Sequence, residues 1–328
     1  MAKIVFVYLG SPLPRYAVYN LRRTRRLFPD HEVVLISDTL KNSYGLKGIS
    51  FYLVPDMKSQ WSDVFSSMNH DPKFRQSFWF NSLARFMAIK IYMEAMNDEP
   101  VIHLELDVWI SENFPFLNFQ EIKELVAFTL PSDTEGSAAI LYLKNRRAIN
   151  ELVQCSEQII QRTPSASDMT ILREIYDLNL IPNRILPSHP GASNEKDSVF
   201  DSSLFDPSSW GMYLLGQDPR NHKGRQIIHM TQAKHYIHGS EFKYLYENRS
   251  VKVFNNGDIY NLVTLHVHSK DLRIFSNFSR EERLLRKRIG SSANGEFYEM
   301  KLSLFFSLAA RKFKKELIRF FNSSGRAS

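Results

Sequence analysis

The chain has 328 residues, of which 43% are hydrophobic, 13% aromatic and 23% charged. This composition supplies a substantial apolar core and excludes global disorder. The single cysteine, Cys155, excludes an intrachain disulfide and a cysteine-based metal cluster, and it favours a reducing compartment. Because no apolar stretch approaches the roughly 20 residues that cross a bilayer, we expect a soluble or peripheral protein.

The net charge of +7 is concentrated at the C-terminal end of the sequence. From Lys270 to Ser328 there are 14 basic residues against 6 acidic ones, which leaves 28 basic against 29 acidic for the rest. A nucleic-acid-binding body would more often spread its basic residues over its own surface. The nearly neutral body therefore predicts that the protein has no nucleic-acid partner.

The first third of the chain alternates strand and helix patterns. The predicted elements are a strand at 3–8, a helix at 16–28, strands at 32–36 and 49–54, a helix at 80–96 and a strand at 101–104. The first strand is too short for the apolar region of a signal peptide, and no cleavage-like site follows it.

Strands that alternate with helices predict a three-layer α/β fold with mostly parallel pairing. In such sheets, ligands bind beyond the carboxyl ends of the strands, so the polar residues at those ends become site candidates. Asp38, which follows the second strand, is such a candidate for contact with a ligand, and the alternative is a plain turn aspartate. The second half of the chain is less regular, with predicted strands at 138–143 and 263–268, a helix at 167–178 and a polar loop at 187–206.

An acidic pair ends the strand that begins at Val101. Glu105 and Asp107 are two residues apart, and in an extended chain such residues project to the same side. Two carboxylates on one side form a site for a hard divalent cation. The alternative is a pair of exposed acids at a strand edge, which the apolar flanking residues disfavour.

Three segments together resemble one enzyme family. Glu105-Leu-Asp107 resembles the Asp-x-Asp signature of GT-A nucleotide-diphospho-sugar glycosyltransferases, with Glu in place of the first Asp. Residues 205–221, FDPSSWGMYLLGQDPRN, resemble a block found in bacterial members of that group, and residues 265–270, LHVHSK, resemble a late strand of the same enzymes. The resemblance covers roughly the first 275 residues and implies a GT-A, Rossmann-like α/β fold with a mixed, mostly parallel sheet flanked by helices.

The resemblance also implies a reaction and a metal site. The reaction is transfer of a hexose-type sugar from a nucleotide diphosphate sugar to a glycan or lipid-linked acceptor, assisted by Mn²⁺ or Mg²⁺. Asp107 would bind the metal directly, and Glu105 would bind it through water or hold the donor. Either His266 or His268 would complete the metal site, and His268 is preferred because it lies closer to the strand end. Lys270 would contact a phosphate of the donor.

Two further residues become candidates through the same resemblance. Arg85, on the helix before the acidic strand, would face the donor, although an arginine at this position is commonly paired or lies along an apolar surface. Asp206 would bind an acceptor hydroxyl or act as a catalytic base. As an alternative, Asp206 would cap the helix that follows it.

The basic end of the chain predicts a separate element. Residues 298–321 place apolar side chains at helical spacing and basic side chains between them, as in a helix that lies on an anionic membrane. The alternative is a helix packed on the body or in a dimer. We therefore predict a catalytic domain at 1–275 and a basic helical tail at 276–328. The resemblance and the tail together imply a setting at the cytoplasmic face of the plasma membrane and, as the product, a bacterial surface glycan such as lipopolysaccharide or capsule.

Two other classes of protein remain as alternatives. A non-catalytic nucleotide-sugar-binding or scaffold protein would share the fold, although intact Asp107, His268 and Lys270 disfavour it. A nucleotidyltransferase also pairs carboxylates around a metal. It would normally show a glycine-rich phosphate loop early in the chain, and Gly10-Ser-Pro-Leu-Pro14 is a poor example.

Overall fold

The computed structural model describes residues 2–10, 12–71, 73–74, 77–96, 98–192, 198–200, 202–222 and 227–292. The strands are β1 (Lys3–Tyr8), β2 (Val33–Ser37), β3 (Ser50–Leu53), β4 (Val101–Leu104), β5 (Val108–Ile110), β6 (Val126–Ser132), β7 (Glu135–Leu143), β8 (Asn183–Ile185), β9 (Ser203–Leu204), β10 (Lys243–Glu247), β11 (Ser250–Asn255), β12 (Asp258–Leu262) and β13 (Thr264–His266). The helices are α1 (Arg15–Leu27), α2 (Met57–Gln60), α3 (Ser62–Ser67), α4 (Phe78–Ala95), α5 (Arg146–Arg162), α6 (Asp168–Asp177), α7 (Ser209–Leu215), α8 (Leu272–Ser276) and α9 (Phe278–Ser292).

The main sheet of the described chain has the strand order β3-β2-β1-β4-β7-β6-β8. The pairs from β3 through β4 are parallel, as is the pair of β6 with β8, whereas β7 is antiparallel to both its neighbours. The predicted mixed, mostly parallel α/β sheet flanked by helices is thus confirmed. Strand β6 and the hairpins of β10–β12 were not predicted.

Both faces of this sheet are buried. In β1, Val5 packs into one apolar cluster with residues of α4, α5 and α6, whereas Ile4 and Phe6 pack on the opposite face with residues of α1. Alternate residues of a strand point to opposite faces, so a strand covered on both sides has few polar positions. Because β1 is parallel to both β2 and β4, the carboxyl ends of these three strands lie along one edge of the sheet. The first polar residues of each connection come together there.

The last described helix, α9, is packed on the body. Leu284, Leu285 and Ile289 are buried in a third apolar cluster, which includes α7, β11 and β13. Glu281 is fully buried and forms a two-pronged ion pair with Arg23 of α1, at 2.7 and 2.8 Å. Side chains of α9 as far as Ile289 therefore pack on the body, beyond the predicted boundary at 275. The predicted tail helix at 298–321 lies outside the described residues, and among the described helices none is long and apolar enough to cross a membrane.

The buried ion pair predicts a large effect on stability. Glu281→Gln leaves the Arg23 guanidinium buried without its counter-charge, and we expect the free energy of unfolding to fall by about 3–5 kcal/mol. Glu282→Gln is the matched control, because Glu282 is exposed and pairs with Arg286 in an exposed i,i+4 contact worth about 0.5 kcal/mol or less. Urea denaturation of both variants measures the difference. If both variants lose the same small amount of unfolding free energy, α9 does not unfold cooperatively with the rest of the protein.

Candidate active site

The connection after β1 is held by residues that follow β2. The backbone N–H of Gly10 donates to the Asp38 carboxylate at 2.8 Å, and the Asn42 amide donates to the Gly10 carbonyl oxygen at 2.7 Å. Gly10 has a φ of 109°, a conformation that glycine adopts more readily than other residues. The structure therefore gives Asp38 a turn-stabilising contact at the carboxyl edge of the sheet.

The acidic pair lies in a turn between β4 and β5. The Val108 N–H donates to the Glu105 carbonyl oxygen at 2.9 Å, so the chain from Glu105 to Val108 is not extended as the sequence pattern suggested. The two acids nevertheless converge. One carboxylate oxygen of each and one ring nitrogen of His266 all lie within 4.8 Å of one another.

His266 reaches the acids because β13 pairs with β5. In this antiparallel ribbon His266 is opposite Val108, and the Val267 N–H donates to the Asp107 carbonyl oxygen at 2.8 Å. The His266 Nε2 lies 3.1 Å from Glu105 Oε2 and 3.2 Å from Asp107 Oδ2. Strand pairing thus joins two motifs that are more than 150 residues apart in the sequence.

The donor set suits a divalent cation. Two carboxylate oxygens and an imidazole nitrogen form a mixed ligand group that Mn²⁺-like ions accept, whereas Mg²⁺ prefers oxygen alone. The Arg85 side chain forms an ion pair with Glu105. Burial alone would raise the pKa of Glu105, but the charges of Arg85 and His266 hold it well below its usual value. Glu105 is therefore ionised, as a metal ligand must be.

His268 occupies a different position from His266. Its ring stacks on the His266 ring, with centroids 4.0 Å apart, and its Nε2 is buried without a hydrogen-bond partner in the described chain. Burial and the neighbouring His266 lower the pKa of His268 well below its usual value, so this ring is neutral. The geometry therefore favours His266 over His268 as the metal ligand, which reverses the sequence-based preference.

Arg85 joins the acidic pair to a third carboxylate, which the sequence pattern did not identify. Its guanidinium forms ion pairs with Glu105 and Asp168, and its Nε donates to the Ser82 carbonyl oxygen at 2.7 Å. Asp168 is buried in the first turn of α6, and burial raises its pKa against the opposing effect of Arg85. An acid after the capping residue Ser167 is typical of a helix start, so only its burial beside Arg85 marks it as a site residue.

Lys270 and Tyr16 close the other side of the cluster. The Lys270 ammonium forms an ion pair with Asp107 and lies 5.6 Å from the centroid of the Tyr16 ring. Burial raises the pKa of Tyr16 to about 12, and the charge of Glu105 acts in the same direction. Tyr16 is therefore a neutral phenol beside the site. In the sequence it was only the first residue of an amphipathic helix, so no signal distinguished it.

The Asp206 carboxylate is buried and occupied by backbone hydrogen bonds. The residue is buried, and its carboxylate accepts hydrogen bonds from the backbone N–H groups of Ser208, Trp210, Gly211 and His266 at 2.7–2.9 Å. These bonds cap α7 and join it to β13. Contacts of this kind fit the helix-capping alternative, and no geometric support for the acceptor-binding or base role is found in the described chain.

Gly211 explains how α7 approaches β13 so closely. A Cβ atom built on Gly211 would lie 2.0 Å from the His266 carbonyl oxygen, a distance that no side chain can adopt. Gly211 is therefore required for α7 to pack against β13, the strand that carries His266.

Asp206→Asn is expected to destabilise the protein. Replacing one carboxylate oxygen by an NH₂ group sets a donor against backbone N–H donors that are buried, and we expect a loss of roughly 3 kcal/mol in the free energy of unfolding. Asp218→Asn would not serve as a control because Asp218 has its own ion pair with Arg220. Asp258→Asn, at the exposed start of β12, is the suitable control. A variant that keeps wild-type stability but loses sugar transfer would restore the catalytic role of Asp206.

Comparisons with known proteins give low similarity throughout. No protein-family model matches the chain, and no curated protein matches it. Among solved structures, it is similar to the galactosyltransferase LgtC in complex with donor and acceptor sugar analogues, with a TM-score of 0.39 and 15% identity over 56% of this chain and 73% of that one. It is also similar to the glycosyltransferase GlyE of Streptococcus pneumoniae TIGR4, with a TM-score of 0.36 and 13% identity over 57% of this chain and 46% of that one.

A third similar structure belongs to another class. A Bacillus anthracis protein assigned as a glucose-1-phosphate thymidylyltransferase has a TM-score of 0.36 and 11% identity, over 57% of this chain and 87% of that one. Glycosyltransferases thus recur among the similar structures, together with a nucleotidyltransferase. Structural similarities this low assign no activity to the chain. Any functional argument therefore depends on the residues of the chain itself.

Proposed function

We propose that the chain is a glycosyltransferase that moves a hexose-type sugar from a nucleotide diphosphate sugar to a glycan or lipid-linked acceptor. The observation that supports this most is the convergence of Glu105, Asp107 and His266 at the carboxyl edge of the sheet. Arg85 and Lys270 supply two cations beside these acids. A divalent cation site flanked by basic side chains suits a diphosphate, which carries several negative charges.

The chemistry follows from where charge develops. As the bond between the sugar and the diphosphate breaks, negative charge builds on the leaving diphosphate, and a bound Mn²⁺ or Mg²⁺ would stabilise it. Asp107 and His266 would hold this ion directly, and Glu105 would hold it through water or contact the donor. Lys270 would exchange its contact with Asp107 for a phosphate oxygen.

Arg85 and Asp38 complete the donor side of the proposal. Arg85 keeps Glu105 ionised and fixes the direction of its carboxylate, and in this proposal the pair lies beside the donor sugar. Asp38 holds the connection after β1 with one oxygen and would use the other for the ribose or base. Asp206 stays outside the reacting groups, because its carboxylate is occupied by backbone N–H donors.

A nucleotide-sugar screen tests this function. The purified protein would be incubated with Mn²⁺ and a panel of nucleotide sugars, and release of nucleoside diphosphate would be followed. A glycosyltransferase is expected to hydrolyse its own donor slowly even without an acceptor. A nucleotidyltransferase would instead release pyrophosphate from a nucleoside triphosphate and a sugar phosphate. Binding of nucleotide sugar without any release would favour the non-catalytic alternative.

The proposed acceptor lies at a membrane, as in the assembly of a bacterial surface glycan on a lipid carrier. The support is the charge of the sequence, because the surplus of basic residues falls after Lys270 while the rest of the chain is nearly neutral. Part of this surplus is on α9, where Arg280, Arg283 and Lys287 are exposed. A cationic segment of this kind is attracted to anionic lipid headgroups.

The membrane proposal predicts co-sedimentation with anionic liposomes. Each Lys or Arg near such a surface contributes about 1 kcal/mol, and salt weakens this attraction, but the apolar residues of 298–321 add a contribution that salt does not remove. Wild-type protein should therefore sediment less as salt rises, but not to zero. A chain truncated after Ser292 keeps the basic residues of α9 but lacks residues 298–321, so its sedimentation should fall to zero at high salt, and it should keep its donor hydrolysis. If neither protein sediments, the membrane assignment is wrong, and if the truncated chain is inactive, residues 293–328 belong to the catalytic unit.

A further inference from the structure

Helix α1 contacts the backbone of the segment that carries Asp107. Asn20 is fully buried, and its Nδ2 donates to the carbonyl oxygens of Leu106 at 3.1 Å and Val108 at 2.7 Å. These two carbonyl groups lie on either side of Asp107. The Asp107 carbonyl oxygen points the other way and accepts from the Val267 N–H of the β13 ribbon.

We propose that Asn20 is a positioning residue for Asp107, an inference that rests on the proposed metal site. The Asn20 amide fixes the peptide plane between Leu106 and Asp107, and the Val267 N–H fixes the plane between Asp107 and Val108. The two planes that set the backbone dihedral angles of Asp107 are therefore held from opposite sides, by α1 and by β13. Asn20 also holds the Val108 carbonyl, in the next plane along the chain. The direction of the carboxylate toward His266 then follows from three consecutive hydrogen-bonded carbonyl groups.

The type of residue supports this role. Asparagine is a poor helix former, and its amide competes with the helix backbone for hydrogen bonds, so a buried Asn in the middle of α1 lowers helix stability. The Asn20 Oδ1 is buried and has no hydrogen-bond partner within the described chain, which adds a desolvation cost. These costs are offset only by the bonds of Nδ2, and both of these bonds flank the proposed metal ligand.

Other side chains hold the same segment further along, in strand β5. The Arg23 Nη1 donates to the Ile110 carbonyl oxygen at 2.8 Å, and the Trp109 Nε1 donates to Glu281 at 2.8 Å. These contacts fix the far end of β5 and belong to the buried ion pair of α9. Asn20 is distinct because its contacts are adjacent to Asp107 itself.

The experiment compares Mn²⁺ binding of folded variants. Asn20→Leu removes both hydrogen bonds at nearly the same side-chain size, and Thr24→Val is the matched control. Thr24 is buried one turn further along α1, and its Oγ1 has no partner in the described part of the chain. Free Mn²⁺ is measured by electron paramagnetic resonance, and folding is checked by circular dichroism. We expect Asn20→Leu to weaken Mn²⁺ affinity by about 10–100-fold, as the loss of supporting groups around metal ligands does, and Thr24→Val to leave it unchanged.

A kinetic readout separates positioning from general destabilisation. With the donor found in the nucleotide-sugar screen, the Mn²⁺ concentration for half-maximal hydrolysis should rise in Asn20→Leu, while most of the rate returns at saturating Mn²⁺. Asn20→Ala, which adds no apolar bulk, is measured in parallel.

Equal Mn²⁺ affinity in wild-type and folded Asn20 variants would overturn the positioning role while leaving the proposed metal site intact. If the wild-type protein binds no Mn²⁺, the metal site itself is wrong, and the inference fails with it. Unfolding of both Asn20 variants would also overturn the inference, because Asn20 would then stabilise the whole fold.

Discussion

Asp107→Asn is expected to reduce sugar transfer by about 10³-fold, since a bound cation supplies several kcal/mol of charge stabilisation and each 1.4 kcal/mol or so corresponds to a tenfold change in rate. The amide side chain of this variant lacks the negative charge that both the cation and Lys270 require. The fold should persist, because the backbone of this segment is held by Asn20 and by β13 rather than by the Asp107 side chain. Initial rates of nucleoside diphosphate release measure the effect.

Two controls accompany this measurement. Asp258→Asn removes an equal charge from the exposed start of β12 and should keep the wild-type rate. Excess EDTA should stop the wild-type enzyme, and added Mn²⁺ should restore it. Full activity of Asp107→Asn, or of the wild-type enzyme in EDTA, would show that the reaction does not depend on a metal held by this residue.

His266→Ala is expected to produce the second largest loss, with Mn²⁺ affinity reduced by at least about tenfold because a direct ligand is removed. His268→Ala is the matched comparison. It removes the stacked ring two residues away, whose Nε2 has no contact with the acids among the described residues. We expect a smaller reduction, since the neighbouring ring supports the orientation of His266 but donates no ligand atom.

Calorimetry of nucleoside diphosphate binding at several Mn²⁺ concentrations distinguishes the two histidines. A larger loss in His268→Ala would return the metal-binding role to His268 and would mean that the ribbon of β5 and β13 rearranges when the donor binds. Unchanged affinity in both variants would make them structural histidines of a half-buried strand, and the proposed site would then lack its nitrogen ligand.

Several features of the site could be predicted from the sequence, because they depend on local patterns. The apolar strand before Glu105 and Asp107, and the spacing of the two acids, indicate carboxylates at a sheet edge. The late segment with His266 and Lys270 was identified by resemblance. The structure brings all four residues together, which no single segment could establish.

Other features required the tertiary structure, since they depend on which side chains share a buried environment. Asp168 has an ordinary sequence position at a helix start, and its ion pair with Arg85 arises only because α4 and α6 lie on the same side of the sheet. Asp206 showed the opposite case: its motif suggested an acceptor contact, but its carboxylate is occupied by four backbone N–H groups.

The sequence by itself determined the class of fold and the position of the acidic pair, because strand and helix periodicity and the order of motifs are local properties of the chain. The tertiary structure decided which histidine meets the acids, through the register of β13 on β5, and that α9 packs on the body, through the burial of Glu281 against Arg23. Both decisions involve contacts between residues more than 150 positions apart. Pairing over such separations is set by packing and strand register, which sequence periodicity does not specify.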